Sequence, residues 1–437
     1  MAAGNLRERT VVIGGGQAAG QIIEAARKAG YEGDISLVCE ESMLPYQRPP
    51  LSKQYLKGDR SRDWLLYRFA EFYKKFDVDV RLGRPAIEID RNRGTVLLDD
   101  GERLPYDKLA LAMGARSRLL DVPSVDAVPL YYIRSLVDSE RLGAALRSAK
   151  KIVIIGGGFI GLETAAALVK QDLEVVLLVA GSQVLPAVEP NIAGFLMDQH
   201  LAHGVKVVLN ANVVELGRTR QNGVAVTLDD GRKFDGDVAI AGVGAIPNVE
   251  LAENAGLECD NGILVDALAR TSDRHIVAAG DCTNHPNMHL GRRMRLETVH
   301  NAVEQGRTAG CTIAGLEHPY IQSPWVWSDQ NNIRLQSVGV SSGYDLSVRR
   351  RSAHQDRFSE FFFQGGRLLA VICINQPRIF GAVRRILNER IPLTPTEAVD
   401  ANVDLAQLPE RAQTVVFDQP WPPRPPRQGP ALIWGFD

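Results

Sequence analysis

The chain has 437 residues, 45% of them hydrophobic, and a formal net charge of −2. That length predicts about three domains, and so small a net charge offers no general hold on nucleic acid or an anionic membrane. No apolar run reaches the roughly 20 residues that span a bilayer, no apolar signal core follows Met1, and five scattered cysteines without a CxxC pair argue against a disulfide framework or a zinc site and for a reducing cytoplasm.

The first predicted strand, Thr10–Ile13, runs into Gly14-Gly15-Gly16-Gln17-Ala18-Ala19 and a predicted helix near 18–29. Strand, tight turn and helix in that order set bare backbone amides and a helix N-terminus against a pyrophosphate. Gly14, Gly16 and Ala18 belong to that turn. Ala19 holds the third motif position, where a small residue serves helix–strand packing. A second strand is predicted at Ile35–Val38. Glu40 follows it and can accept hydrogen bonds from ribose hydroxyls. The stretch Pro45-Tyr46-Gln47-Arg48-Pro49-Pro50-Leu51-Ser52-Lys53 predicts a structural loop opening a helix, since its prolines exclude a core strand.

The same layout returns after Ile152–Ile155, in Gly156-Gly157-Gly158-Phe159-Ile160-Gly161. One such motif is a weak signal. Two imply two dinucleotides, which points to a flavin exchanging electrons with a nicotinamide. The strand Val175–Leu178 should end at an acid that accepts from an NAD ribose hydroxyl. Val179 stands there instead, followed by Ala180-Gly181-Ser182-Gln183, with no arginine to meet a 2′-phosphate. The missing charge-assisted bond is worth about 1.5–3 kcal/mol. Loss of repulsion helps NADPH while loss of an acceptor hurts NADH, so the expectation is modest discrimination, NADH slightly favoured, or else weak affinity for both.

Alternating strands and helices through about residue 320 predict parallel α/β sheets. The segment 117–244 reads as an insertion between 1–116 and 245–320, because Ala278-Ala279-Gly280-Asp281-Cys282 looks like a return to the first nucleotide site. Beyond 321 the strand-like runs 334–340, 358–364 and 368–374, then a helix near 382–388, predict an antiparallel sheet within an α+β domain over 321–410. Residues 411–437 form a proline-rich tail, read as a solvated extension, a strap on the body or a partner-binding segment. The fold class expected is α/β, with two Rossmann-like dinucleotide-binding domains and a C-terminal α+β domain.

Several separate segments carry a family likeness: PYQRPPLSK at 45–53, GGGFIGLE at 156–163, TSDRHIVAAGDC at 271–282, RLETVHNAVEQG at 295–306 and PWVWSDQ at 324–330. On these the chain resembles the flavin-dependent ferredoxin reductases that serve bacterial haem monooxygenases and ring-hydroxylating dioxygenases. That resemblance implies FAD in the first site and NAD(P)H in the inserted one. It implies a 2Fe–2S ferredoxin as partner, with an oxygenase downstream, and a cytoplasmic monomer or weak dimer that binds neither nucleic acid nor membrane.

The resemblance also implies site residues. Arg48 lies along the FAD, with Ala112 near it. Lys53 stands near the reactive nitrogen of the flavin, where a cation stabilises the reduced ring; the bland alternative is a solvated lysine. Glu163 pairs with Lys53 and contacts the nicotinamide, or else only caps its helix. Asp281 holds the ribityl chain. Glu297 opens a helix whose Val299 and His300 amides face the flavin, with the His300 ring positional rather than a proton donor. Trp327 borders the flavin at the ferredoxin face, or is an ordinary interface aromatic. On the NAD(P) side stand Gly156, Gly158, Phe159, Ile160, Gly161, Val179, Gly242 and Gly244. Met113, where relatives carry threonine, reads as a packing change. No cysteine occurs from Glu41 to Lys53, where disulfide reductases of the class carry a pair, so electrons must leave the flavin directly. The arginine runs 292–295 and 349–351 read either as steering patches for an acidic ferredoxin or as ordinary surface charge. Two rival readings are an NAD(P)H oxidase or reductase with another acceptor, and an apoptosis-factor-like redox-sensing flavoprotein.

Overall fold

The computed structural model describes residues 7–124 and 128–409; the N-terminal residues and the proline-rich tail lie outside the described residues. Two parallel five-stranded sheets carry the chain's two glycine turns. In the first, the strands run in the order Ile276–Ala278, Lys108–Leu111, Arg9–Ile13, Asp34–Cys39 and Val78–Leu82. In the second they run Lys206–Val208, Glu174–Leu178, Lys151–Ile155, Val238–Ala241 and Leu130–Tyr131. The central strands, RTVVI and KIVII, bury every residue but the first. Burial of consecutive residues is the mark of a parallel strand covered on both faces. Each therefore stops at its glycine turn with the next helix, Gln17–Lys28 or Phe159–Val169, starting at the carboxyl edge of the sheet.

The two crossings between the sheets, Ala115–Ser117 and Ala245–Pro247, pair antiparallel with each other. The third helix that matters, Val299–Ile313, returns to the first sheet and packs closely along Gln17–Lys28. Gly310 makes that approach possible, because a Cβ there would sit 2.4 Å from the Ile22 carbonyl oxygen. This contact brings the N-terminus of the late helix beside the first glycine turn.

The C-terminal unit is an antiparallel sheet in the order Trp325–Gln330, Ile333–Gly339, Arg367–Ile374, Phe358–Gln364 and Leu346–Arg351. Helix Pro377–Asn388 covers it through Phe380, Val383 and Ile386. That helix begins earlier than its apolar pattern suggests, because Pro377 is suited to a first helical turn. The proline-rich loop delivers only a short 3₁₀ turn, Pro49–Ser52. Simple alternation of strand and helix also fails twice. Antiparallel meanders at Ala86–Asp90, Thr95–Leu98 and Arg103–Pro105, and at Val213–Arg218, Val224–Leu228 and Lys233–Gly236, interrupt it. One apolar cluster runs through all three units, joining Tyr46 and Leu51 to Ile154 and Leu162 and to Ile333 and Phe362.

Candidate active site

A cleft of about 1250 Å³, including its open mouth, runs from the first glycine turn to Trp327. Gly16 caps helix Gln17–Lys28 with no side chain on the first amides, and Gly15, Gly16, Gln17 and Ala18 line the cleft. Exposed first-turn amides at the positive end of a helix make an anion site. Helix Val299–Ile313 aims its own N-terminus at the same space, where Thr298 and Val299 line the wall. The Thr298 hydroxyl accepts from the Asn301 amide, so the amides of Val299 and His300 stay available.

Lys53 and Glu163 meet at the cleft wall, with Nζ 2.7 Å from Oε1 and both side chains nearly buried. The Ser328 hydroxyl donates to the same oxygen at 2.6 Å, and Ser52 donates to Oε2 at 3.3 Å. Burial pushes the Glu163 carboxyl up, while Lys53 and the two hydroxyls pull it back down. Both oxygens of the carboxylate are thus hydrogen-bonded, which favours a persisting charge.

Arg48 is held by Glu41 at 2.7 Å, by the Tyr46 hydroxyl at 3.1 Å and by the Arg134 carbonyl at 2.8 Å. Asp281 lines the cleft and pairs with Arg134 at 2.8 Å. The turn bearing Asp281 is fixed by Gln305, whose Oε1 accepts from the Gly280 amide at 2.9 Å and from the Thr283 hydroxyl at 2.8 Å. Glu297 lines the wall in contact with Arg295, and burial pushes its carboxyl up. Ala112 lies on the wall beside Met113.

Not every expected residue reaches the cleft. Gly14 and Ala19 lie outside the cleft lining, and Ala19 is fully buried in the core cluster of the first sheet. Glu40 is exposed at the end of strand Asp34–Cys39 and is not part of the lining. The His300 ring lies outside the lining and packs against Trp325 at 5.4 Å, with Nδ1 buried and unpartnered. Trp327 does line the cleft, and Trp325 lies 5.5 Å behind it. The arginine runs are mostly committed to the fold. Arg293 donates to the carbonyls of Val265 and Asn284, Arg350 to that of Val403, and Arg349 pairs with Glu360. The side chain of Arg295 is 6% exposed. These arginines thus hold structural partners, while Arg293 and Arg351 remain exposed to solvent.

A smaller cleft adjoins the first, sharing Ile160, Glu297 and Trp327 with it and lined also by Phe159, Gly242 and Gly244. Gly158 caps helix Phe159–Val169 without a side-chain bond to its amides. Gly156 and Gly161 lie beneath that turn in mutual contact. Val179 is 4% exposed. It packs so closely under the turn that a Cβ on Gly157 would come within 2.8 Å of its methyls. Among the described residues no group of histidines, cysteines and carboxylates could hold a metal.

The donors fit FAD: uncapped helix amides for the pyrophosphate, Asp281 for the polyol chain, Lys53 and a helix N-terminus for an anionic ring. Residues 8–306 match the family model described as pyridine nucleotide-disulphide oxidoreductase. The chain belongs to that family. Residues 325–409 match the reductase C-terminal model. The chain is 39% identical to rhodocoxin reductase of Rhodococcus erythropolis over 396 residues, 90% of this chain and 93% of that one. It is 37% identical to putidaredoxin reductase of Pseudomonas putida over 410 residues, 92% and 97% of the two chains. The fold superposes on the reductase in a covalent putidaredoxin reductase–putidaredoxin complex with a TM-score of 0.89 at 36% identity, covering 94% of this chain and 100% of that one.

For a pyridine nucleotide-disulphide oxidoreductase, the telling feature is that no cysteine lines either cleft. Cys39 and Cys282 are buried, and burial pushes their thiols up to about 12 and about 11. Neither is a nucleophile in that state. No helix among the described residues is long and apolar enough to cross a membrane. Sequence patterns alone did not single out Ser52, Ser328, Arg134 or Gln305. Ser52 beside Lys53 in PYQRPPLSK, Gln305 in RLETVHNAVEQG and Ser328 beside Trp327 in PWVWSDQ lie within the segments that carry the family likeness, whereas Arg134 lies in none.

The buried imidazoles set an acid limit on this family member. Burial lowers His285 to about 4 and His300 to about 3 from an ordinary 6.5. The unfolded chain takes up those protons first, so their contribution is whole above pH 6.5 and is lost as pH falls toward 3–4. Glu163 and Glu297, both pushed up, act in the opposite sense, favouring the fold as they protonate. We expect His285→Phe to flatten the acid limb of urea stability by about 3 kcal/mol. Denaturation series between pH 7.5 and 4 check this, and parallel wild-type and variant curves would refute it.

Proposed function

We propose that the chain is an FAD-dependent NAD(P)H:ferredoxin oxidoreductase of the cytoplasm that supplies electrons, through a 2Fe–2S ferredoxin, to a monooxygenase or ring-hydroxylating dioxygenase. The observation that carries the reading is the thiol-free cleft in which the Lys53–Glu163 pair faces two helix N-termini. When bound, FAD converts the electron pair of a nicotinamide hydride into two single-electron transfers. Gly15, Gly16 and the first turn of the following helix bind its pyrophosphate, Arg48 braces the loop alongside it, and Asp281 orients its polyol chain. Lys53 presents a fixed cation to the ring, and the Val299 and His300 amides favour added negative charge. Glu163 holds that lysine in place. Trp327 lines both clefts and borders the exit for electrons.

The test is stopped-flow reduction with NADH and NADPH in parallel, followed by reoxidation with an acidic 2Fe–2S ferredoxin. Bleaching of the flavin band by at least one coenzyme, with ferredoxin accelerating reoxidation beyond oxygen alone, is the expected result. No bleaching at millimolar coenzyme rejects the reading. Oxygen consumption that matches NADH oxidation and ignores ferredoxin favours an oxidase instead.

Val179 supplies a sharper prediction. A carboxylate at this position restores an acceptor for the ribose 2′-hydroxyl and repels a 2′-phosphate. Val179→Glu is expected to raise the NADH-over-NADPH preference in kcat/KM by about tenfold or more. Part of the gain is offset by drawing a charge through a tightly packed turn. Unchanged preference would mean that the ribose is held elsewhere.

A further inference from the structure

Behind Glu163 a line of buried polar side chains leaves the cleft. The Ser328 hydroxyl donates to Glu163, the Gln330 amide donates to the Ser328 oxygen at 3.0 Å, and the Gln330 carbonyl oxygen lies 3.0 Å from Nε2 of His200. Ser328, Gln330 and His200 are each no more than 2% exposed. The line ties together parts far apart in sequence. Lys53 ends the 3₁₀ turn Pro49–Ser52 that packs on helix Phe159–Val169, Glu163 and His200 sit on helices Phe159–Val169 and Pro190–Ala202 of the inserted unit, and Ser328 and Gln330 share strand Trp325–Gln330.

Hydrogen-bond direction is decided from the charged end. An ionised carboxylate only accepts, so Ser328 must donate to it. Ser328 has then spent its one proton and must accept from the Gln330 NH₂. The Gln330 oxygen is left as an acceptor, which requires a proton on Nε2 of His200. The other ring nitrogen, Nδ1, is buried without a partner. Burial lowers the His200 basicity, with the Gln330 bond acting the other way, so the ring stays neutral.

We propose that His200 is a positioning residue for the Lys53–Glu163 pair, acting through Gln330 and Ser328 as a one-way donor line that fixes the orientation of the Glu163 carboxylate plane and with it the place of the lysine. The same oxygen, Oε1, takes both the Ser328 bond and the Lys53 bond. The line therefore sets the lysine in the cleft from a side chain outside both cleft linings. Without it, Ser328 is free to turn, Glu163 can rotate about its terminal torsion, and Lys53 follows.

This inference rests on the proposed reductase reading but is tested separately from it. The first readout needs no turnover: long-range ¹H–¹⁵N spectra of the full-length protein labelled at histidine. His200 is expected as the neutral Nε2–H tautomer, losing that fixed pattern in Ser328→Ala. A ring protonated on Nδ1 alone, or a pattern indifferent to Ser328→Ala, overturns the proposal. The second readout is stopped-flow reduction. His200→Leu is expected to lower the limiting rate of flavin reduction about tenfold with NADH affinity unchanged. His200→Gln, which can offer an N–H to Gln330, is expected to regain most of that loss. Gln330→Met serves as a second break in the line should His200→Leu fold poorly. Wild-type rates in a folded break variant overturn the proposal, as does equal impairment of His200→Leu and His200→Gln. If wild type itself is not reduced, the reductase reading fails, and the tautomer result still decides the donor line.

Discussion

Gly14→Ala is expected to give a protein that purifies without yellow colour, whereas Gly156→Ala keeps its flavin but is no longer bleached by NADH at ordinary concentrations. The reason is the same in each turn. Gly14 has φ +137°, and a Cβ on it would lie 2.1 Å from the Ala112 carbonyl oxygen. Gly156 has φ +114°, and its Cβ would lie 2.3 Å from the Gly242 carbonyl oxygen. In both units the offended carbonyl directly follows the strand paired parallel to the glycine's own, Lys108–Leu111 in one and Val238–Ala241 in the other. Neither neighbour is the end of a flexible side chain, so the backbone itself must move. Strained backbone and overpacking together cost about 3 kcal/mol or more. If that cost falls on the cofactor-binding turn, affinity drops by roughly a hundredfold. Absorbance at the flavin band during purification and coenzyme titration of the two variants distinguish them. Retained colour in Gly14→Ala would place the pyrophosphate away from this turn.

That symmetry was legible in the residues because it is local. A buried strand, a glycine turn and a helix follow one another within about a dozen positions, and both copies repeat the order. The same holds for the proline-rich loop that ends in Lys53, and for Glu163 on the first turn after Gly161. Contacts across long separations carried no such signal. Ser328 meets Glu163, Gln305 meets Gly280, and Arg134 meets Asp281, each through side-chain geometry that no sequence spacing announces. The structural bonds of the arginine runs were hidden for a related reason. Arg293 is exposed as its pattern suggests, yet its guanidinium also satisfies two backbone carbonyls that no spacing announces. The meanders escaped because their opening strands are irregular, although Thr95–Leu98 and Val224–Leu228 alternate cleanly. Strand Ala86–Asp90 buries only Ile89 and leaves Ile87 largely exposed, so it shows neither clean alternation nor a continuous apolar run.

The largest effect on chemistry is expected at Glu163. Glu163→Leu removes the carboxylate and leaves the Lys53 ammonium almost buried, with the Ser328 hydroxyl facing a methyl group in place of an anion. Breaking one side of a buried pair costs about 3–5 kcal/mol, because the remaining charge must draw in water or shed its proton. The thermal midpoint should fall by several degrees and flavin reduction should slow by at least about tenfold. Loss of rate alone does not separate a misplaced lysine from a loosened fold, so the double variant Lys53→Met, Glu163→Leu decides the point. Replacing both charges with apolar side chains of similar volume removes the unpaired ammonium, and stability should return close to that of wild type. The rate should not return, since the cation facing the ring is then gone. A double variant that regains both stability and rate would show that the pair only holds the cleft together. One that regains stability and stays slow ties the slowness to the missing charges of the pair and not to a loosened fold.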